Sequence, residues 1–189
     1  MNLVELYQET GDFQEVVKKS GLPPYIVHIH LAKAGILKIK DKIQFGTKGA
    51  KLGGKAEELF QKLVPEAADA NSYWRRNNPS FDFMYKGITI DVKYSSYHEK
   101  TRKDGVNRGA HWKIRTAGER DLIVAFLERE AGQELENPII LLLPTMFIDV
   151  KNGLAISKAS KWLTNFQIEA DKLTEVLDGY AEILDGEQA

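Results

Sequence analysis

The chain has 189 residues, of which 43% are hydrophobic, and its formal net charge at pH 7 is -1. It is long enough to bury an ordinary core as one domain, or as one domain with a small appendage. The absence of cysteine excludes disulfides and thiolate metal sites, and the near-neutral charge excludes a uniformly basic coat for nucleic acid. The first residues lack a signal-peptide pattern and no apolar run reaches membrane-spanning length, so we expect a cytoplasmic protein that contacts no membrane.

Residues 1–45 are predicted to form a small helical module. Helices are expected over 2–9, 13–20 and 24–34, separated by turns at Gly11-Asp12 and Gly21-Leu22-Pro23. The segment 36–45 has the pattern of a hairpin, so the module resembles a winged helix-turn-helix, in which the last helix enters the major groove of DNA. We expect DNA contacts from outward residues of the third helix and of the hairpin: Tyr25, His28, Lys33, Lys38, Lys40 and Lys42. A protein-docking or purely structural module is the alternative.

Residues 46–54 (GTKGAKLGG) are predicted to be a flexible connector, which places a boundary between a 1–45 module and a 46–189 domain. A helix is expected from Leu52 to about Val64, because its apolar residues share one face at 3.6 residues per turn: Leu52, Ala56, Leu59, Phe60 and Leu63. Glu58 lies nearly opposite that face, whereas Glu57 lies on its flank and can look toward a neighbouring sheet. The alternative for Glu57 is an ordinary half-exposed helix glutamate.

A β-hairpin is predicted over 81–93, with Lys86-Gly87 as its two-residue turn. In that register Asp82 lies directly opposite Asp91, on one face with Lys93. The other face is apolar: Phe81, Phe83, Tyr85, Ile88, Ile90 and Val92. Two facing carboxylates repel each other, and a divalent cation such as Mg²⁺ would remove that penalty. The alternative is a solvated outer face on which Lys93 neutralises the carboxylates.

The second half of the chain alternates between polar and apolar segments. Residues 94–111 are polar and charged, which predicts a mobile excursion. Two apolar runs, 121–127 and 139–143, are typical of central strands covered on both faces. Asn152-Gly153 predicts a hairpin turn within 147–156, and 157–184 has a helical pattern with a break near Asn165.

The order of these elements resembles that of the PD-(D/E)XK nuclease superfamily, which includes restriction enzymes, homing nucleases and junction resolvases. The family motif has an Asp near a strand start, Asp/Glu-x-Lys on the next strand and a Glu on the preceding helix, which Asp82, Asp91-Val92-Lys93 and Glu57 match. Pro79 departs from the motif, since it stands three residues before Asp82 rather than beside it. The resemblance covers about residues 50–150. It implies an α/β fold with a restriction-endonuclease-like mixed central sheet flanked by helices, preceded by the helical module.

The resemblance also implies the roles of the site residues. Asp82, Asp91, the Val92 carbonyl and Glu57 would hold Mg²⁺, with Mn²⁺ as a substitute, and Lys93 would position or deprotonate the attacking water. Ser95, Ser96 and the basic loop beyond them would grip the DNA backbone: Arg102, Lys103 and Arg108. The implied function is a Mg²⁺-dependent DNA endonuclease of restriction or homing type, acting as a homodimer. A Holliday-junction resolvase or other structure-specific nuclease, a non-catalytic DNA-binding regulator and a protein-interaction module are the alternatives.

Overall fold

The computed structural model describes residues 2–45, 47–70, 81–101, 107–148 and 153–186. This part of the chain is a mixed α/β fold. Its helices are α1 Leu3–Thr10, α2 Phe13–Ser20, α3 Pro24–Lys33, α4 Ile39–Phe45, α5 Lys48–Leu63, α6 Lys161–Phe166 and α7 Leu173–Gly186, with 3₁₀ turns at Thr145–Phe147 and Ala170–Lys172. Its strands are β1 Ala68–Asp69, β2 Phe83–Tyr85, β3 Ile88–Ser95, β4 His98–Thr101, β5 Asn107–Ile114, β6 Leu122–Leu127, β7 Ile139–Pro144, β8 Leu154–Ser157 and β9 Gln167–Ile168.

The three predicted amino-terminal helices are confirmed as α1, α2 and α3. Asp12 caps α2, because its side chain accepts a hydrogen bond from the Glu15 N–H at 3.1 Å. Gly11 and Gly21 end α1 and α2 in the left-handed region, where glycine is least strained. The apolar faces of these helices form a core of their own: Tyr7, Phe13, Val16, Val27, Leu31, Ile36 and Leu37.

The predicted wing hairpin and the predicted flexible connector are both wrong. Residues Ile39–Phe45 form α4, and α5 begins at Lys48 within the supposed connector. The two helices pack closely at Gly54, where a Cβ atom would lie 3.0 Å from Ile43 Cγ1 and 3.1 Å from Lys42 Cβ. Gly54 therefore allows the two helices to pack closely.

Helix α4 contacts both the amino-terminal module and the larger domain. Tyr7 of α1 donates a hydrogen bond to Asp41 of α4, and the Tyr7 hydroxyl accepts from the Lys38 N–H at 3.0 Å. On its other side, Ile39 packs against the main hydrophobic core. The boundary between residues 45 and 46 stays a prediction, and α4 bridges the two sides of it.

The main sheet has six strands in the order β1-β2-β3-β6-β7-β9. The β3–β6 pair is parallel and the other neighbouring pairs are antiparallel. Strands β6 and β7 are buried on both faces, as their apolar sequences predicted. One face packs against α5 and α7, and the other packs against α6 and a three-stranded sheet of order β4-β5-β8.

The predicted β2–β3 hairpin and its turn are confirmed. Tyr85 pairs with Ile88 across Lys86 and Gly87, which both have positive φ, at 46° and 82°. Positive φ at both central residues is the geometry of the two-residue turn that suits twisted strands. The predicted apolar face is buried in the main core, with one exception. Phe81 is half-buried and lines an open depression beside Thr89, on the opposite side of the hairpin.

The predictions for the second half of the chain have different outcomes. The segment 94–111 carries strand β4 and the start of β5, which pair with each other and are not a simple mobile excursion. Strand β8 pairs with β5, and the hairpin predicted within 147–156 stays a prediction. Residues 149–152, which include part of the predicted turn, lie outside the described residues. The predicted helical break near Asn165 is confirmed, because β9 separates α6 from α7.

No helix in the described part of the chain is long and apolar enough to cross a bilayer.

A buried glutamate, which sequence reasoning missed, fixes the turn after β6. The Glu128 carboxylate accepts hydrogen bonds from the backbone N–H groups of Tyr97 at 2.7 Å, Gly132 at 2.8 Å and Glu134 at 3.0 Å. Burial acts to raise the pKa of Glu128, but these three donors outweigh it and the pKa is lowered. Glu128 therefore favours the folded state in its ionised form.

We expect Glu128→Gln to lower the free energy of unfolding by about 1.5–3 kcal/mol, because hydrogen bonds to a charged acceptor are lost from a buried group. Urea denaturation at neutral pH measures this. Because the folded-state pKa is lowered, the carboxylate contributes fully above the ordinary glutamate pKa, and its contribution disappears as pH falls through the folded-state value. Glu130→Gln, at an exposed residue two positions away, should change stability by less than about 0.5 kcal/mol. Equal small effects of both substitutions would contradict the assignment.

Candidate active site

Asp82 lies near Asp91, but it is not paired directly opposite Asp91 in the hairpin, as the sequence had predicted. Strand pairing ends at Phe83–Ile90, and the Asp82 N–H donates to the Ile90 carbonyl at 2.9 Å, so Asp82 precedes β2 rather than pairing directly with Asp91. Its Oδ2 accepts a hydrogen bond from the Val92 N–H at 2.8 Å. The carboxylate is thereby held against β3, beside Asp91.

Asp91 is buried, with 3% of its surface exposed, so the alternative of a solvated outer face is wrong for this residue. Its Oδ1 accepts from Lys93 Nζ, and its Oδ2 lies 2.9 Å from Arg120 Nη1. Burial raises the pKa of Asp91; Lys93 opposes this shift and the nearby Asp82 carboxylate adds to it. The site thus holds a carboxylate in a poorly solvated position between two cations.

Glu57 is also buried, with 6% of its surface exposed, so it is not an ordinary half-exposed helix glutamate. Both of its oxygens accept hydrogen bonds from Lys42 Nζ at 2.8 Å. Burial raises the pKa of Glu57; Lys42 opposes the shift and Asp82 adds to it. Glu58, in contrast, is exposed and lies 3.4 Å from Lys62 on the same helix.

Lys42 pairs with Glu57 and lies within the electrostatic reach of Asp82, although the sequence placed it on a wing. Burial acts to lower its pKa, but the charges of Glu57 and Asp82 outweigh burial, and the pKa is raised. The surroundings of Lys42 therefore favour its charged form. The charge of Asp82 acts on both Glu57 and Asp91, so the three carboxylates are coupled electrostatically.

The donor set suits a hard divalent cation, because carboxylate oxygens are the ligands that Mg²⁺ prefers. Among the residues that the structure describes, no three acidic or histidine side chains converge into a preformed metal centre. Lys42 and Lys93 instead pair with Glu57 and Asp91, respectively. A divalent cation that bound here would displace these ammonium groups. The carboxylate oxygens that now face Lys42 and Lys93 are the candidate ligands of that cation.

The DNA-binding candidates of the amino-terminal module were predicted to face outward, and only some of them are exposed. Tyr25 is 66% exposed, and Lys33 and Lys40 are exposed. His28, predicted to face outward, is instead buried, with its ring centroid 6.3 Å from that of Phe13. Lys38 is half-buried and donates to the Gly11 carbonyl at 3.2 Å. For the exposed residues of this set, contact with DNA stays a prediction.

The candidates that follow β3 are only partly described. Ser95 is buried, and its Oγ accepts from the Lys113 N–H at 3.0 Å, which gives it a structural contact in place of an open surface position. Ser96 is half-buried. Arg102 and Lys103, together with the Arg108 side chain, lie outside the described residues.

Sequence reasoning missed two basic residues of this site, Lys42 as a partner of Glu57 and Arg120 as a partner of Asp91. The only local signal for Arg120 is its position just before the apolar run of β6, which a parallel sheet can place beside the strand of Asp91. The signal for Lys42 is weaker still, because its partner lies on another helix. Asp69 of β1 is a third residue near the site, since its charge acts on both Glu57 and Lys42.

No known protein-family model matches the chain, and no curated protein matches it significantly. The side chains and their geometry therefore carry the functional proposal.

Proposed function

We propose that the chain is a Mg²⁺-dependent DNA endonuclease of restriction or homing type, built on a restriction-endonuclease-like central sheet. The observation that carries this proposal is the burial of two carboxylates, Glu57 and Asp91, each paired with a lysine and each within the electrostatic reach of Asp82. A fold selected only for stability has no need to bury two carboxylates near a third. The order of α5, the β2–β3 hairpin and the parallel strand β6 agrees with the family resemblance.

Each side chain has a role that its surroundings support. Asp82, Asp91 and Glu57, together with the Val92 carbonyl, would hold Mg²⁺. When bound, Mg²⁺ supplies polarisation of the scissile phosphate and acidification of a bound water. Lys93 has 31% of its side chain exposed, so its ammonium is accessible from solvent while it contacts Asp91. It would orient the attacking water or neutralise charge that develops on phosphorus.

The DNA and dimer parts of the proposal rest on separate considerations. Tyr25, Lys33 and Lys40 are exposed and would supply phosphate contacts from the amino-terminal module. One active site of this kind cuts one strand, so double-strand cleavage would require two copies of the chain. We therefore propose a homodimer on the substrate.

A cleavage assay with and without metal tests the function directly. We expect the protein to nick or linearise supercoiled plasmid in Mg²⁺, to lose this activity in EDTA, and to regain it when excess Mg²⁺ or Mn²⁺ is added. A four-way junction is assayed in parallel, and preferential cleavage of the junction would change the substrate class to branched DNA. If neither DNA is cut in either metal, the nuclease proposal is wrong. DNA binding without cleavage would then point to a regulator.

A further inference from the structure

We propose that Arg120 is a positioning residue that fixes the orientation of the Asp91 carboxylate, so that Oδ1 is the atom presented to a divalent cation. This inference rests on the proposed function, since the cation is the cofactor of that site. Arg120 would act through Asp91 and would not contact DNA.

The first support is the contact itself. Arg120 Nη1 lies 2.9 Å from Asp91 Oδ2, and only 2% of the Arg120 side chain and 4% of the Asp91 side chain are exposed. The other carboxylate oxygen, Oδ1, faces Lys93, whose side chain is 31% exposed. The two oxygens therefore differ: Oδ2 points to a buried cation, and Oδ1 points to the more open side of the site.

The second support is that Arg120 is itself held in place. Its Nη1 donates to the Ala117 carbonyl at 2.6 Å, and its own carbonyl accepts from Thr145 Oγ1 at 2.5 Å. The next residue, Asp121, accepts from both the N–H and the hydroxyl of Thr89, two positions before Asp91 on β3. These bonds fix the start of β6 against β3, and with it the guanidinium against Asp91.

The third support is that the arrangement is poor as a purely stabilising device. Arg120 Nε and Nη2 are buried and find no hydrogen-bond partner in the described ranges, and Asp91 Oδ2 likewise lacks a bond of good geometry there. Unsatisfied buried donors cost stability, and an apolar side chain of similar size would avoid that cost. The feature that Arg120 adds is a fixed positive charge behind one oxygen of a metal-ligand candidate. Groups behind metal ligands serve to orient them.

An anchor for a substrate phosphate is the competing role. Arg120 lines an open depression together with Phe81, Thr89 and Met146, which gives that role a location. The guanidinium nitrogens Nε and Nη2 are inaccessible to solvent, however, and Glu119 and Asp121 also line the depression. Burial and the flanking acids both disfavour a phosphate there, so we favour the orientation of Asp91.

The test compares Arg120→Met, Arg120→Lys and the control Arg129→Met, whose side chain bonds to the Asn137 carbonyl away from the site. Calorimetry measures Mn²⁺ binding, and single-turnover assays at saturating protein measure the cleavage rate. Titration measures DNA affinity, and urea denaturation measures folding. We expect Arg120→Met to weaken Mn²⁺ binding and to slow cleavage by about tenfold to a hundredfold, as for other residues behind metal ligands. DNA affinity should be unchanged, Arg120→Lys should restore part of the loss, and Arg129→Met should match the unchanged protein.

The sign of the metal effect is decisive. Removal of a positive charge should by itself tighten Mn²⁺ binding, so tighter or unchanged binding in Arg120→Met would overturn the orientation role. Loss of DNA affinity with an unchanged rate at saturation would overturn it in favour of a phosphate anchor. If Arg120→Met does not fold, Arg120→Lys carries the test, and an unchanged Mn²⁺ affinity in that variant overturns the proposal. If the unchanged protein binds Mn²⁺ but cuts no DNA, the nuclease proposal fails and the metal measurements still decide the role of Arg120. If it binds no Mn²⁺, both proposals fail.

Discussion

Asp91→Asn is expected to lower the rate of DNA cleavage about a thousandfold or more. The physical reason is that a metal ion supplies several kcal/mol of transition-state stabilisation, and each 1.36 kcal/mol corresponds to a factor of ten in rate. The amide keeps the shape of the side chain but removes the anionic ligand between Lys93 and Arg120. Single-turnover cleavage of plasmid in Mg²⁺ measures the effect, with circular dichroism to show that the variant is folded.

The stability of Asp91→Asn gives an independent check. Loss of the Asp91 charge leaves Arg120 buried beside a neutral group, so we expect the free energy of unfolding to fall by up to about 3 kcal/mol. A solvated pair of repelling carboxylates would give the opposite sign, a slight stabilisation. Asp178→Asn is the matched control, because Asp178 is half-buried and accepts from Lys86 and Tyr85 at the turn end of the hairpin. Its cleavage rate should be near native. A comparable rate in Asp91→Asn itself would show that the site is misassigned.

Glu57→Gln is expected to lower activity by more than about tenfold, which corresponds to more than about 1.4 kcal/mol of transition-state stabilisation. Glu57 is buried next to Lys42 and within the electrostatic reach of Asp82, so its charge is part of the site. The loss should be partly rescued by higher Mg²⁺ or by Mn²⁺, because a missing ligand weakens metal affinity. Cleavage rates over a range of metal concentrations measure both effects.

Glu58→Gln is the control for Glu57→Gln, since the two residues are adjacent and nearly equal in helix propensity. Glu58 is exposed and pairs with Lys62 at 3.4 Å, an i,i+4 contact whose loss should cost no more than about 0.5 kcal/mol. We expect a near-native rate. An essential Glu58 with a dispensable Glu57 would place the wrong glutamate at the site. If neither substitution changes the rate, the site consists of Asp82, Asp91 and Lys93 without a glutamate from α5.

Local periodicity was sufficient for strands β2, β3, β6 and β7 and for the phase of the long helix. The alternation of residues 83–92 predicted the burial of the apolar side chains of the hairpin but not that of Asp91. A two-residue turn left one register for Tyr85 and Ile88. The apolar stripe of α5 placed Glu57 toward the sheet and Glu58 toward solvent. These features depend on residues close together in the chain, where spacing carries the information.

Features that depend on tertiary contacts could not be predicted from the spacing of residues along the chain. Ile39 and Ile43 fit a strand or one helical face equally well over so short a segment, and packing against Gly54 decides for the helix. His28 lies on an apolar helix, where no spacing distinguishes an outward ring from one that packs on Phe13. The pairs Lys42–Glu57 and Arg120–Asp91 join different elements, so their partners are defined only once those elements pack.

The parallel pairing of β3 with β6 has a consequence for the order of events during folding. Residues 96–121 separate the two strands, so this pairing requires closure of a long crossover before the contacts that reward it. Arg120 arrives beside Asp91 only with that closure. A growing polypeptide that ends before Leu122 already carries Glu57, Asp82, Asp91 and Lys93, yet it lacks the strand that buries Asp91. The proposed chemistry is therefore acquired late, when the sheet closes.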